Sequence, residues 1–346
     1  MGLIRFESVS KTYPGGIRAL DGIELHVRPG EFLVLIGPSG CGKTTALKMV
    51  NRLVEPTSGR VIVEGRDVRE VDEVELRRNI GYVIQQIGLF PHLTIAENVG
   101  LVPRLKGWPQ ERRRARVDEL LELVGLDPDQ YRDRRPRELS GGQQQRVGVA
   151  RALAADPHIV LMDEPFGATD PITRKQLQLE LKRIEGRVKK TILFVTHDIS
   201  EALLLGDRIC LMKEGRIVQV GTPEELLFHP ADPYVTEFIG DAARTERLLY
   251  MRVKDLAGPI PDELPDPAAL PRLCEDETLP MLVEHLGSLV RNGAPAGFLA
   301  VTAAGKPSGY VGYKELVQLL VEVLGAGGDS REEIPAQGGI AHAVSR

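Results

Sequence analysis

The stretch EFLVLIGPSGCGKTTALKMVNRL (31–53) constrains this chain more than any other. Its first part, EFLVLI, is a short apolar run that ends at glycine, as a strand covered on both faces reads. Its last part carries Leu47, Val50 and apolar neighbours at helical spacing. Between them GPSGCGKTT (37–45) fits G-x-x-x-x-G-K-[ST] at the strand-to-helix junction where that spacing has a mechanism. Gly37, Gly40 and Gly42 let the backbone wrap phosphate oxygens, in a loop completed by Pro38, Ser39, Cys41 and Thr45. Lys43 would reach the β and γ oxygens, and Thr44 would offer a hydroxyl to Mg²⁺.

The flanking segments suit the same α/β architecture. HIVLMDE (158–164) and TILFVTH (191–197) are two more continuous apolar runs, separated by the helix-like TRKQLQLELKRIE. Such alternation predicts a parallel sheet with both faces covered. Residues 2–36 read as short strands with turns, one of them at YPGGIRAL. QERRRARVDELLELVGL is amphipathic, with Val117, Leu120, Leu121 and Val124 on one stripe, and marks a helical subdomain over about 88–150. DRICLMKEGRIVQVG predicts a hairpin turning at Glu214-Gly215. Thr222 then caps a helix, with Pro223 in its first turn and Glu225 closing a capping box.

This first domain spans 1–240, followed by a connection over 241–272. Within it GPIPDELPDPAALP (258–271) holds five prolines, too many for a helix or central strand. A small α/β unit over 273–324 follows. It reads as a helix stripe of Leu279, Leu282, Val283, Leu286, Leu289 and Val290, a hairpin of GFLAVT and GYVGY, and a second stripe of Leu316, Leu319, Leu320, Val323 and Leu324. Residues 325–346 are polar and glycine-rich, as a flexible tail reads.

Composition narrows the function classes. A net charge of −5 gives no pull toward nucleic acid, and ERRRARVDE, with its acidic neighbours, reads as a solvated helix face. Cys41, Cys210 and Cys274 are widely spaced and form no C-x-x-C pair, which suits a reducing compartment. The seven histidines show no metal-ligand spacing. No run approaches the length of a membrane span, so any work at a membrane needs other chains to hold this one there.

Four further places carry candidate chemistry. Asp163 ends an apolar strand, where it would hold Mg²⁺ through water, and Glu164 would polarise an attacking water; the other reading is a pair of surface carboxylates. His197 ends TILFVTH, either as a structural hydrogen-bonder or against a γ-phosphate. Gln85 follows a third short strand and would orient water or metal. LSGGQQQRVGVARAL (139–153) is a helix opening on Ser140, Gly141 and Gly142, whose free N–H groups and dipole suit a second phosphate.

Taken in order, these pieces resemble the ABC-type ATPases. Tyr13, the loop 37–45, Gln85, LSGGQQQR (139–146), LMDEP (161–165), GATD (167–170) and His197 match the aromatic loop, Walker A, Q-loop, signature, Walker B, D-loop and H-loop over about residues 2–240. GATD stands where the family often has a serine and a leucine, but Asp170 is retained. The resemblance implies a RecA-like core with an N-terminal antiparallel β-subdomain and a helical subdomain. It implies ATP and Mg²⁺ as ligands, with Tyr13 stacked on adenine, Gln85 sensing the γ-phosphate, Glu164 activating water and His197 steadying the transition state. It also implies a head-to-tail dimer of two copies, in which Ser140, Gly141, Gly142 and Gln143 complete the site of the opposite copy. One chain then carries two halves of different sites.

GYVIQQIGLFPHLTIAENV (81–99) and DEPFGATDPITRKQLQ (163–178) are similar to the ATP-binding subunits of importers for quaternary amines such as glycine betaine, carnitine, choline and proline betaine. That implies a peripheral subunit on the cytoplasmic face of the plasma or inner membrane, served by transmembrane permease subunits and an extracytoplasmic substrate-binding protein or domain. An importer of another small solute, such as an amino acid, and a soluble non-transport ABC ATPase are the alternatives. Leu89, Phe90, Pro91 and His92 are candidates for contacting the membrane subunit, or else for packing within the helical subdomain. The C-terminal unit resembles a single CBS module, for dimerisation or ionic-strength sensing. Gly312 and Glu315 stand where nucleotide-binding modules carry Ser/Thr and Asp.

Overall fold

The computed structural model describes residues 2–85, 88–167, 169–240, 250–258, 260, 272–279, 281, 297–301 and 307–312. The chain divides into two compact units, Met1–Ile239 and Gly240–Arg346.

The first unit begins with β1 (Ile4–Thr12), β2 (Arg18–Val27) and β3 (Phe32–Ile36), then α1 (Lys43–Val50), β4 (Ser58–Val63), β5 (Arg66–Asp67), α2 (Glu73–Asn79) and β6 (Ile80–Val83). The helical segment comprises α3 (Ile95–Val99), α4 (Leu101–Leu105), α5 (Gln110–Leu123), α6 (Pro128–Tyr131) and α7 (Gly141–Leu153). The chain returns through β7 (Ile159–Asp163), α8 (Pro171–Val188), β8 (Thr191–Val195), α9 (Ile199–Leu205), β9 (Arg208–Lys213), β10 (Arg216–Gly221), α10 (Pro223–Phe228) and α11 (Pro233–Ile239).

Two sheets result. One is antiparallel, in the order β2-β1-β4-β5. The other runs β10-β9-β3-β8-β7-β6, parallel except for the edge strand β10, which forms the expected hairpin with β9. Every residue of β3, β7 and β8 is buried, which is why their sequences are unbroken apolar runs. Helix α1 packs between the sheets: Leu47 and Val50 share one core with Phe6 and Leu25 of the antiparallel sheet and Leu35, Leu161 and Val195 of the parallel one. Each such side chain, fully buried, contributes about 1.5–3 kcal/mol.

Because β3, β6, β7 and β8 are parallel, their C-terminal ends emerge at one edge of the sheet. That edge is where ligands of open α/β sheets bind. It receives the loop 37–45 from β3, Gln85 just after β6, Asp163 and Glu164 from β7, and His197 just after β8.

The second unit contains α12 (Val253–Leu256) and the strands β11 (Arg272–Cys274), β12 (Gly297–Val301) and β13 (Pro307–Gly312), in the order β11-β12-β13. β12 and β13 are antiparallel, while β11 joins β12 in parallel. Bridges from Arg252 to Thr278 and from Gly258 to Tyr310 tie part of the expected connection into this unit. Apart from Leu279 the two helix stripes lie outside the described residues, as do Glu315, most of the proline-rich stretch and the tail. Among the described residues no helix is long and apolar enough to cross a membrane.

Candidate nucleotide site

Backbone conformation shapes the phosphate loop. Gly42 takes φ 106° at the start of α1, where no side chain caps the helix. A Cβ there would lie 2.4 Å from the Ala19 carbonyl oxygen, so only glycine fits. The first N–H groups of α1 are thereby left uncapped by side chains, an arrangement suited to an anion. Lys43 is buried, and its ammonium donates to the carbonyls of Gly37 at 2.7 Å and Pro38 at 3.0 Å. Its Nζ also lies 3.7 Å from Cys41 Sγ. Burial pushes the Cys41 thiol up against the opposing pull of Lys43, so it is a small packed side chain and a poor nucleophile. Pro38, Ser39 and Gly40 are exposed around the loop's tip.

Thr44 Oγ1 donates to Asp163 Oδ1 at 2.8 Å, bringing together two residues 119 positions apart. Asp163 is buried, and burial raises its carboxyl above the ordinary aspartate range against the Thr44 hydrogen bond. A hydroxyl and a carboxylate are hard oxygen donors, and Mg²⁺ takes one or two such protein oxygens, with water and phosphate filling the rest. The residues therefore fit that ion. Gln85, also expected at the metal, is directed elsewhere.

Gln85 Nε2 donates to Glu164 Oε2 at 3.1 Å, and His197 Nδ1 lies 3.4 Å from the same oxygen. Glu164 itself has φ 42°, a left-handed conformation uncommon for a residue with a side chain. Its N–H donates to the Val195 carbonyl at 3.0 Å, pinning the turn to the end of β8. Two side chains, from the ends of two strands, thus converge on one carboxylate oxygen at the end of a third. On the rim, Tyr13 Oη lies 3.5 Å from Thr45 Oγ1, and Lys11 Nζ stands 5.2 Å from the Tyr13 ring centroid. This contact joins the antiparallel sheet to the loop.

The start of α7 is built differently. Ser140 Oγ accepts from Gln143 N–H at 3.3 Å, and Gln143 Oε1 accepts from Ser140 N–H at 2.9 Å. Gln143 Nε2 donates to Tyr131 Oη at 3.0 Å. Gly141 has open space where a Cβ would stand, while one at Gly142 would lie 2.9 Å from Thr173 Cγ2. Asp170 caps α8 by accepting from Thr173 N–H at 3.0 Å, and that hydrogen bonding holds its carboxyl below the usual range. Among the described residues, these contacts unite α7 with α6 and α8 and none runs to the loop 37–45.

Sequence reasoning missed two buried organisers. Asn98, fully buried, holds the 90–94 turn by accepting from Phe90 N–H at 2.8 Å and donating to Thr94 O at 2.9 Å. Nothing distinguishes it locally from a surface asparagine. Glu201 binds Thr196 and Gln178 behind His197. Beside the turn that Asn98 holds, Phe90 is 42% exposed at a cleft of about 330 Å³ shared with Arg77, Tyr82, Leu101, Val102 and Arg151. Arg151 donates to the Gly88 carbonyl at 2.7 Å there. Leu89, Pro91 and His92 do not line it, although the Phe90 and His92 rings stand 6.0 Å apart.

Comparison with known proteins shows the family. Residues 20–167 match the ABC transporter family. The osmoprotectant import ATP-binding protein OsmV of Salmonella typhimurium is 45% identical over 315 residues, which are 89% of this chain and 81% of its own. The chain belongs to the ATP-binding family of ABC transporter proteins. The glycine betaine/carnitine/choline transport ATP-binding protein OpuCA of Bacillus subtilis is 58% identical over 250 residues, 72% of this chain. The aligned part spans 64% of OpuCA's length, a little under two thirds. A dimeric ATP-binding cassette in a post-hydrolysis state, bound to ADP and Pi, superposes with a TM-score of 0.57 at 39% identity, covering 64% of this chain and 98% of that one.

Proposed function

We propose that this chain is the ATP-hydrolysing subunit of an importer for a quaternary amine osmoprotectant. The observation that carries the hydrolytic part is the convergence of Gln85 and His197 on Glu164, beside the Thr44–Asp163 pair at the mouth of the loop. The loop N–H groups and Lys43 bind the β and γ phosphates of ATP, and Tyr13 stacks on the adenine. Thr44 and Asp163 hold Mg²⁺, which when bound neutralises charge on the phosphate oxygens. Glu164 accepts a proton from water as the water oxygen bonds to the γ-phosphorus. The bond from that phosphorus to the β–γ bridging oxygen breaks, releasing ADP and phosphate. Gln85 orients Glu164 and the water, and His197 steadies the charge that develops on the γ-phosphoryl group.

Each ATP lies between the phosphate loop of one copy and the Ser140–Gln143 start of α7 of the other. The open space at Gly141 and the exposure of Ser140 and Asp170 support this head-to-tail dimer. The cleft at Phe90 receives a helix of the permease, which holds the subunit at the cytoplasmic face of the membrane. An extracytoplasmic binding protein or domain delivers the solute. The second unit acts as a CBS-like module in dimerisation or ionic-strength sensing; its strands β11–β13 are compatible with that.

The substrate class is supported by the names of OpuCA and OsmV. The spermidine/putrescine import ATP-binding protein PotA of Acidothermus cellulolyticus, 50% identical over 240 residues, makes polyamines the second reading. Uptake of labelled glycine betaine, carnitine, choline, proline betaine and spermidine at high osmolarity decides between them. Cells lacking the complex lose uptake of at least one quaternary amine. Unchanged uptake of all four, with spermidine uptake lost, would overturn the assignment.

A further inference from the structure

Behind the His197 turn lies a polar cluster that the nucleotide site does not use. Glu201 is 4% exposed, Thr196 2% and Gln178 6%. The Glu201 carboxylate accepts from Thr196 Oγ1 at 2.6 Å and from Gln178 Nε2 at 3.1 Å. Thr196 Oγ1 accepts in turn from the Asp198 N–H at 3.0 Å, and Thr196 N–H donates to the Leu35 carbonyl at 3.2 Å. One hydroxyl, oriented by one carboxylate, therefore fixes the residues on both sides of His197.

Stability alone is a poor reason for this arrangement. Burying a carboxylate costs more than an apolar side chain of the same shape, and well-packed apolar replacements of buried charge are often neutral or stabilising. Burial pushes the Glu201 carboxyl up while Thr196 and Gln178 pull it down. The cluster's distinctive property is its reach: it ties the end of β8 to α9 and, through Gln178, to the helix α8 that Asp170 caps.

We propose that Glu201 is a positioning residue, which acts through Thr196 to set His197 against Glu164 and joins that setting to α8 through Gln178. The proposal rests on reading Glu164 and His197 as hydrolytic groups. Catalytic geometry tolerates little error, and a displacement of about 1 Å can cost up to about a hundredfold in rate.

The test uses the full chain, with kcat and KM for ATP measured beside Tm. Thr196→Val keeps the shape and removes the hydroxyl. It is expected to lower kcat about tenfold at a KM within about twofold of wild type, and Thr196→Ser to restore kcat. Should Thr196→Val fail to fold, Glu201→Gln, which keeps shape and exchanges an acceptor for a donor, is expected to show the same loss in kcat at unchanged KM. Wild-type kcat in the folded variant, a loss confined to KM, or an equal loss in Thr196→Ser would overturn the proposal. Glu164→Gln runs alongside as the separate check: wild-type turnover there removes the hydrolytic reading itself.

Discussion

The chain contains two glycine-rich helix starts, and their difference is instructive. Helix α1 opens at Gly42 with no side-chain cap, a buried lysine at its first position and a carboxylate within hydrogen-bond reach of its second. Helix α7 opens at Ser140 with its capping box closed, no cation in its first turn and exposed glycine beyond. Uncapped N–H groups beside a buried cation make a binding site within one chain. A satisfied, exposed start is, in the proposed assembly, a surface that adds to the site of another copy. Similar local sequence thus serves two tasks, and the surroundings decide which.

The comparison breaks first at Glu164, the carboxylate proposed to activate water. Glu164→Gln is expected to slow turnover at least about a hundredfold while ATP still binds, measured by phosphate release and equilibrium binding. Wild-type turnover would move the base elsewhere. A smaller effect separates the helix starts directly. Lys43→Ala should weaken ATP binding by the monomer about tenfold or more, because a charge-assisted contact is lost, whereas Ser140→Ala should leave it within about twofold. Equal losses in a titration of the two variants would erase the distinction.

The smallest effect is on stability. Burial raises the Asp163 carboxyl, so a stability cost sets in as pH rises through the unfolded pKa, is complete above the folded pKa, and vanishes below the unfolded value. Asp163→Asn should therefore raise Tm at neutral pH, with the gain shrinking as pH falls toward the ordinary aspartate range. A Tm unchanged or lowered at neutral pH would show that the Thr44 contact outweighs burial.

Much of the first unit was legible because its signals are local. Continuous apolar runs announced β3, β7 and β8, and Thr222-Pro223 with Glu225 announced α10, whose capping box is present. The same logic was available for Ser140 and Gln143, where S-x-x-Q is itself a capping box. There the same hydroxyl that opens the helix is already taken by the Gln143 N–H. Long-range polar contacts gave no such signal: Gln178 meets Glu201, 23 positions on, only because α8 and α9 pack together. Likewise β11 is three residues long, too short for any periodicity, and exists through its pairing with β12.

The central claim is that one chain holds two halves of different sites, and assembly tests it most directly. Sedimentation of Glu164→Gln, in which hydrolysis is expected to be blocked, should show a dimer that forms on adding ATP. Glu164→Gln combined with Ser140→Arg should bind ATP as tightly per monomer yet remain monomeric. A dimer that persists in the double variant, or Glu164→Gln remaining monomeric at saturating ATP, would contradict the account.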